Sequence, residues 1–197
     1  MNRSSIATVY LSGLILVFTG CSILDTEEPT NPFFQAAVSG EINGGLEGQQ
    51  ALFGEFDDAE FDQNVFLFEF VSDIRDAGMG ITFVGVFEDD MEPGTYEVIR
   101  FVRGDDGETD QAELLSQLEP GQFIAEYVMT EQDASRYEDQ FYSEQGTIEL
   151  EEKDGSMMAG EFDFTANGFL SSAPDDTVQI SVEGVFDASE SEFETQD

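Results

Sequence analysis

From Phe33 onward, apolar side chains recur at every second position, in short runs bounded by Gly, Asp, Asn or Pro. A helix needs apolar spacing near 3.6 residues. A period of two instead lays one face of an extended strand on a core and turns the other outward. Phe66, Phe68 and Phe70 share one face of the segment Asn64 to Ser72, while Val65, Leu67, Glu69 and Val71 share the other. With both faces largely apolar, this segment reads as a central strand.

The same pattern places strands through Phe34, Ala36 and Val38, from Leu46 to Phe56, from Met79 to Phe87 and from Thr95 to Val102. Further strands run through Phe123, Ala125, Tyr127 and Met129, from Gly146 to Glu152, through Met158, Gly160, Phe162 and Phe164, and through Val178, Ile180, Val182, Gly184 and Phe186. Asn43-Gly44 and Lys153-Asp154-Gly155 carry tight-turn signals, the former because both residues tolerate positive φ. Pro93-Gly94 and Pro120-Gly121 restart extended structure. Gly104 to Asp110 reads as an acidic loop, Gln111 to Leu118 as a short helix, and Glu131 to Asp139 as a polar stretch with a helical turn.

The expected fold is therefore all-β: one antiparallel β-sandwich of about nine strands over residues 33 to 188, with an up-and-down, lipocalin-like barrel as the alternative. Residues 189 to 197 read as a disordered acidic tail. The phenylalanines could line a cavity for an apolar ligand or fill a core. A domain with a single cysteine in the whole chain, and so no internal disulfide, has more use for the core.

Ahead of this domain, Arg3 precedes an uncharged apolar run through Ile6, Leu11, Leu14, Ile15, Leu16, Val17 and Phe18, which closes on Thr19-Gly20-Cys21. A positive start, a short apolar run and small residues before a cut make a secretory signal helix over residues 1 to 20. The run is shorter than the ~20 apolar residues of a membrane-spanning helix. Phe18-Thr19-Gly20-Cys21 resembles a lipobox, which implies cleavage between Gly20 and Cys21 and acylation of the Cys21 thiol. Residues 21 to 32, with Asp25, Glu27, Glu28, Pro29 and Pro32, have the composition of a solvated acidic tether. The partner implied is a lipid bilayer, and the location a cell envelope, at the outer membrane.

Charge narrows the reading further. The chain has 44 acidic and 6 basic residues and no histidine; removing residues 1 to 20 takes away one arginine and no acid. Such an excess destabilises a compact state by self-repulsion in dilute buffer, and molar salt shortens the screening length to ~3 Å. A halophilic protein is the expectation. Acidic runs such as Glu88-Asp89-Asp90, Asp105-Asp106-Gly107-Glu108 and Asp175-Asp176 offer hard oxygen ligands, yet none has EF-hand spacing, and no metal or cofactor is expected. Nucleic acid is disfavoured as a partner for want of a basic patch.

Without histidine, and with Cys21 committed to lipid, the mature chain lacks the usual base of a serine triad, a thiol nucleophile and soft metal ligands. Carboxylate chemistry of the glycosidase kind remains open in principle, but nothing singles out a pair of acids, and tryptophan, the usual sugar-stacking residue, is absent. Arg103-Gly104-Asp105 is a coincidental adhesion tripeptide beside an acidic loop.

Several phrases occur together behind the lipobox. These are Phe34-Gln35-Ala36 with Gly40 and Asn43-Gly44, Glu92-Pro93-Gly94-Thr95-Tyr96, Gly146-Thr147-Ile148, Gly160-Glu161-Phe162-Asp163-Phe164 and Glu183-Gly184-Val185-Phe186. In that order they resemble a family of small Bacteroidetes-type lipoproteins whose domain has no established function. The resemblance covers about residues 33 to 188, implies the export and β-domain readings, and carries over no catalytic residue. The expected role is non-enzymatic: binding an unidentified protein or glycan, or structural, with carriage of an apolar ligand in a barrel cavity as the alternative.

Overall fold

A computed structural model describes residues 31–57, 64–72, 77–102, 114–131, 137–154, 156–170 and 173–191. Ten strands follow in chain order: β1 Phe33–Gly40, β2 Gly44–Gly48, β3 Gln50–Asp57, β4 Asn64–Val71, β5 Ala77–Phe87, β6 Gly94–Val98, β7 Gln122–Glu131, β8 Tyr137–Asp154, β9 Met157–Leu170 and β10 Ala173–Glu190. They form one mixed sheet in the order β2-β1-β10-β3-β4-β5-β7-β6-β8-β9, and further pairings of β10 with β9 and of β7 with β8 close it on itself.

Pairing is antiparallel except at two seams. β10 meets β3 in parallel over Ser189 and Glu190 only, and elsewhere β1 lies along that edge of β10. β7 meets β8 directly over Glu126 to Thr130; nearer the start of β7, β6 enters between them, parallel to β7 and antiparallel to β8. The all-β expectation holds, with ten strands in place of about nine.

The interior is filled as a sandwich is filled, by two walls packed on each other. Phe70 of β4 stacks on Phe34 of β1 (ring centroids 5.6 Å) and on Phe162 of β9 (5.7 Å), and lies 5.0 Å from Phe186 of β10. Phe83 of β5 meets Phe162 at 5.2 Å and Phe164 at 5.5 Å. Each such pair contributes about 0.5–1.5 kcal/mol beyond the area it buries. A second, smaller core lies on the outer side of β4, β5 and β7. There Val65, Val86 and Ile124 are covered by Phe101, Leu115 and Leu118 from the connection between β6 and β7. Gln117 fastens that connection, accepting from the Val102 N–H (3.0 Å) and donating to its carbonyl (2.9 Å).

So many rings fit because five inward positions directly opposite a ring are glycines. The cross-strand pairs are Gly160 with Phe186, Gly184 with Phe162, Gly146 with Phe164, Gly168 with Phe141 and Gly85 with Phe123. A β-carbon on any of these glycines would stand within 2.8 Å of its partner's side chain, closer than van der Waals contact allows.

Several local expectations are corrected. The positive φ at the β1–β2 turn belongs to Gly40 (120°), and among the described residues no non-glycine residue has one; Asn43 instead donates from Nδ2 to the Gly40 carbonyl (3.0 Å). The strand expected from Leu46 to Phe56 is two strands that part at Gln49, because its two halves serve different neighbours, β1 and β4. Of the helix expected at Gln111 to Leu118, residues 111–113 lie outside the described residues, Leu114 and Leu115 are helical, and the chain then leaves the helix in tight turns. In these the Gln117 N–H donates to the Leu114 carbonyl and the Leu118 N–H to the Leu115 carbonyl. Glu131 ends β7 and Tyr137 to Asp139 begin β8, so the ends of that polar stretch are strand, while residues 132–136 lie outside the described residues. β10 runs to Glu190, two residues into the expected tail. Pro120-Gly121 is a type II turn: Gly121 has φ 84° and the Gln122 N–H donates to the Glu119 carbonyl.

The glycine contacts predict two opposite outcomes in double-mutant cycles. At Gly85 the near contacts are the Phe123 ring alone, at 2.5 Å, so Gly85→Ala loses about 1–3 kcal/mol and Phe123→Leu relieves much of it. At Gly160 the nearest atom is the Glu149 carbonyl oxygen, at 2.2 Å. Gly160→Ala is therefore expected to be at least as damaging, with little relief from Phe186→Leu. Urea unfolding of the single and double variants measures both couplings.

Candidate functional site

Cys21 and Gly20, the residues to which the sequence assigns chemistry, lie outside the described residues, as do Arg103-Gly104-Asp105 and the acidic run at 105–108. The structure does place the start of the domain. Phe33 begins β1 opposite Asp187 of β10, at the edge of the seam where β10 passes from β1 to β3.

Alternation that buries phenylalanines forces the residues between them outward. On β8, β9 and β10 several of those residues are acids, among them Glu149, Glu161, Asp163 and Glu183. Glu149 pairs directly with Glu161, and Asp163 with Glu183, and all four are exposed. Directly opposed side chains have β-carbons ~5 Å apart, and like charges there are destabilising. No basic side chain intervenes at these pairs. The ion pair between Arg100 and Glu144 (3.4 Å) lies by the bulge where β8 leaves β7. The acids at 149, 161, 163 and 183 stand on an open sheet surface, whereas a glycosidase acid must be depleted of solvent. Among the described residues no group of three or more Asp, Glu, His or Cys is placed to hold a metal ion. Glu88, Asp89 and Asp90 are exposed in the turn after β5.

Two tyrosines depart from ordinary behaviour. Tyr127 points inward from β7 against Phe141 (5.8 Å), and burial, with a smaller contribution from the Asp139 carboxylate, pushes its hydroxyl up to about 12. Tyr96 is raised by burial, opposed by the hydrogen bond it donates to the Glu92 carbonyl; its ring packs edge-on against Phe87 (5.2 Å) and Phe123 (5.9 Å). Both rings are thus fixed by packing.

Ser143 is the one described polar residue with no exposed surface. Its hydroxyl donates to the Ile99 carbonyl (2.7 Å) and accepts from the Ala125 N–H (3.1 Å), which ties β7 and β8 to the chain leaving β6. This is a structural duty at a seam. Neither Ser143 nor the Tyr127–Asp139 neighbourhood is signalled by a motif, since both depend on register. The outer acidic rows were legible in part, because in Gly160-Glu161-Phe162-Asp163-Phe164 every acid alternates with a core residue.

Comparisons with protein families, with characterised proteins and with solved structures find no match. Among the described residues no helix is long and apolar enough to cross a membrane.

Two measurements follow. Relieving a like-charge pair by Glu161→Gln or Asp163→Asn should raise the melting temperature in dilute buffer by about 1–3 °C each, with the gain vanishing near 1 M salt. Tyr127, with a folded-state value above that of the unfolded chain, contributes stability that is fully present below pH 10. That contribution is lost as pH rises through about 12. Tyr127→Phe should flatten the fall in unfolding free energy over that window, as read by urea titrations at stepped pH.

Proposed function

We propose that this chain is an exported lipoprotein, cleaved at Gly20 and acylated on Cys21, whose β domain has a non-enzymatic binding or structural role at the outer membrane of a cell in saline surroundings. The lipobox-like Phe18-Thr19-Gly20-Cys21 supports the anchor, and the acidic composition supports the medium. Acyl chains contribute roughly 0.8 kcal/mol per buried methylene, so the multiple chains of a lipoprotein would hold it essentially permanently.

The observation that carries the binding role is the occupied interior. Phe68, Phe70, Phe83, Phe123, Phe141 and Phe164 are fully buried and in ring contact with neighbours. An apolar ligand would have to displace them, which weighs against carriage and leaves the outer surface as the place for a protein or glycan partner. The anionic character of that surface favours a partner that is neutral or basic.

The anchor is tested directly. Mass spectrometry of the native protein should show a diacylated or triacylated amino terminus at Cys21, and Cys21→Ala should move the protein from the membrane to the soluble fraction. An unmodified terminus, or a variant that still sediments with membranes, would refute the anchor.

A further inference from the structure

Among the described residues, both ends of the domain and a run of exposed acids lie on one rim. β1 begins there at Phe33, beside Asp187, and β10 ends there at Glu190, whose N–H donates to the Ser156 carbonyl (2.7 Å) in the β8–β9 turn. The pairings of Asp57 with Asn64 and of Asn64 with Phe87 bring the end of β3, the start of β4 and the end of β5 to the same rim. The exposed acids Glu88, Asp89, Asp90 and Glu92 follow β5, and Glu151 and Glu190 are exposed near the ends of β8 and β10. The opposite rim holds the connections Gly40–Gly44, Val71–Ala77, Glu131–Tyr137 and Leu170–Ala173; Glu41 and Asp176 are its exposed acids among the described residues, and residues 73–76 and 132–136 lie outside them.

Resting on the anchor proposed above, we infer that the domain meets the bilayer with this acidic rim foremost and is held off an anionic headgroup surface by it. The opposite rim is then turned outward, toward partners. Residues 21 to 32 set the range: fully extended they reach ~40 Å, and as a relaxed coil ~20 Å. Charge acts over ~10 Å at 0.1 M salt and ~3 Å at 1 M, so repulsion spans a good part of the relaxed tether in the first medium and little of it in the second. The cytoplasm-like case of a basic segment drawn to anionic lipid is inverted here.

The single thiol makes the test clean. A chain beginning at Cys21 keeps all ten strands and their pairings, and Cys21 can be coupled to a maleimide-bearing lipid in supported bilayers. Coupling of this kind does not need native acylation, so failure of the anchor and failure of the orientation are separate results. Neutron reflectometry then gives the height of the protein layer above phosphatidylcholine, with or without phosphatidylglycerol, from the lowest salt that retains the β-sheet spectrum up to 1 M. On the anionic bilayer the height should fall by on the order of 10 Å as salt rises, and on the neutral one it should stay constant. Combining Glu88→Gln, Asp89→Asn, Asp90→Asn and Glu92→Gln should abolish most of that fall, whereas Glu161→Gln with Asp163→Asn should preserve it. A height independent of salt on the anionic bilayer, or equal effects of the two sets, would overturn the inference.

Discussion

A sheet that folds back on itself must bring its two walls within reach without crushing what lies between, and the ring-over-glycine pairs set that distance. Four of the five glycines, Gly85, Gly160, Gly168 and Gly184, give up a side chain where the ring of the phenylalanine opposite lies, and at Gly146 the neighbour is the Phe164 backbone and Cβ. The rings thus seated then meet rings of the other wall: Phe162 touches Phe70 and Phe83, and Phe186 touches Phe68 and Phe70. Glycine in a strand ordinarily weakens it, by entropy and by lost packing. Covering it with a cross-strand aromatic ring restores the packing and pins the register, because a slip of one residue would put the ring over an outward-facing acid.

That register also determines the outer surface. With Phe162 and Phe164 inward, Glu161 and Asp163 must face outward, and the neighbouring strands align Glu149 and Glu183 against them. The core and the charge rows are one constraint seen from two sides. The packing that stabilises the domain fixes the acids opposite one another, where only salt can weaken their repulsion. The salt dependence expected of such a surface would therefore arise from strand pairing as well as from net charge.

How much of this was legible in the residues depended on range. Alternation through Phe66, Phe68 and Phe70 identified the core face of β4 because one residue step flips every side chain. The apolar other face of β4 hinted at cover, but its source, Phe101, Leu115 and Leu118 from a distant connection, is tertiary and left no local signal. The hairpin signalled at Asn43-Gly44 joins β1 to β2, but its positive φ falls on Gly40, where a β-carbon would stand 2.8 Å from the Gln179 carbonyl oxygen of β10, a tertiary contact that local turn propensity does not register. The first half of β8 looked helical or irregular because bulges at Glu144 and near Glu138 interrupt its alternation. The proposed function rests on Phe18 to Cys21, where the residues that resemble a lipobox are contiguous.

The two seams support the proposal that a partner would bind outside the domain. Strand β6 fills the gap where β7 and β8 diverge, pairing with both, while β1 takes up the edge of β10 beyond its short pairing with β3 and carries β2 on its other side; each brings apolar residues, Phe34, Ala36 and Val38 or Val98, to the same interior. At the β7–β8 seam, Ser143 satisfies the carbonyl and the N–H that the divergence would otherwise leave unpaired in the interior, groups that would cost about 1–3 kcal/mol each if orphaned. A binding cavity would have used such a gap as its mouth. Here β6 closes one gap and β1 with β2 lies beside the other, so in the proposed binding role recognition falls to the turns and strand surfaces, and the proposed anchor, joined ahead of Phe33, sets which of them face away from it.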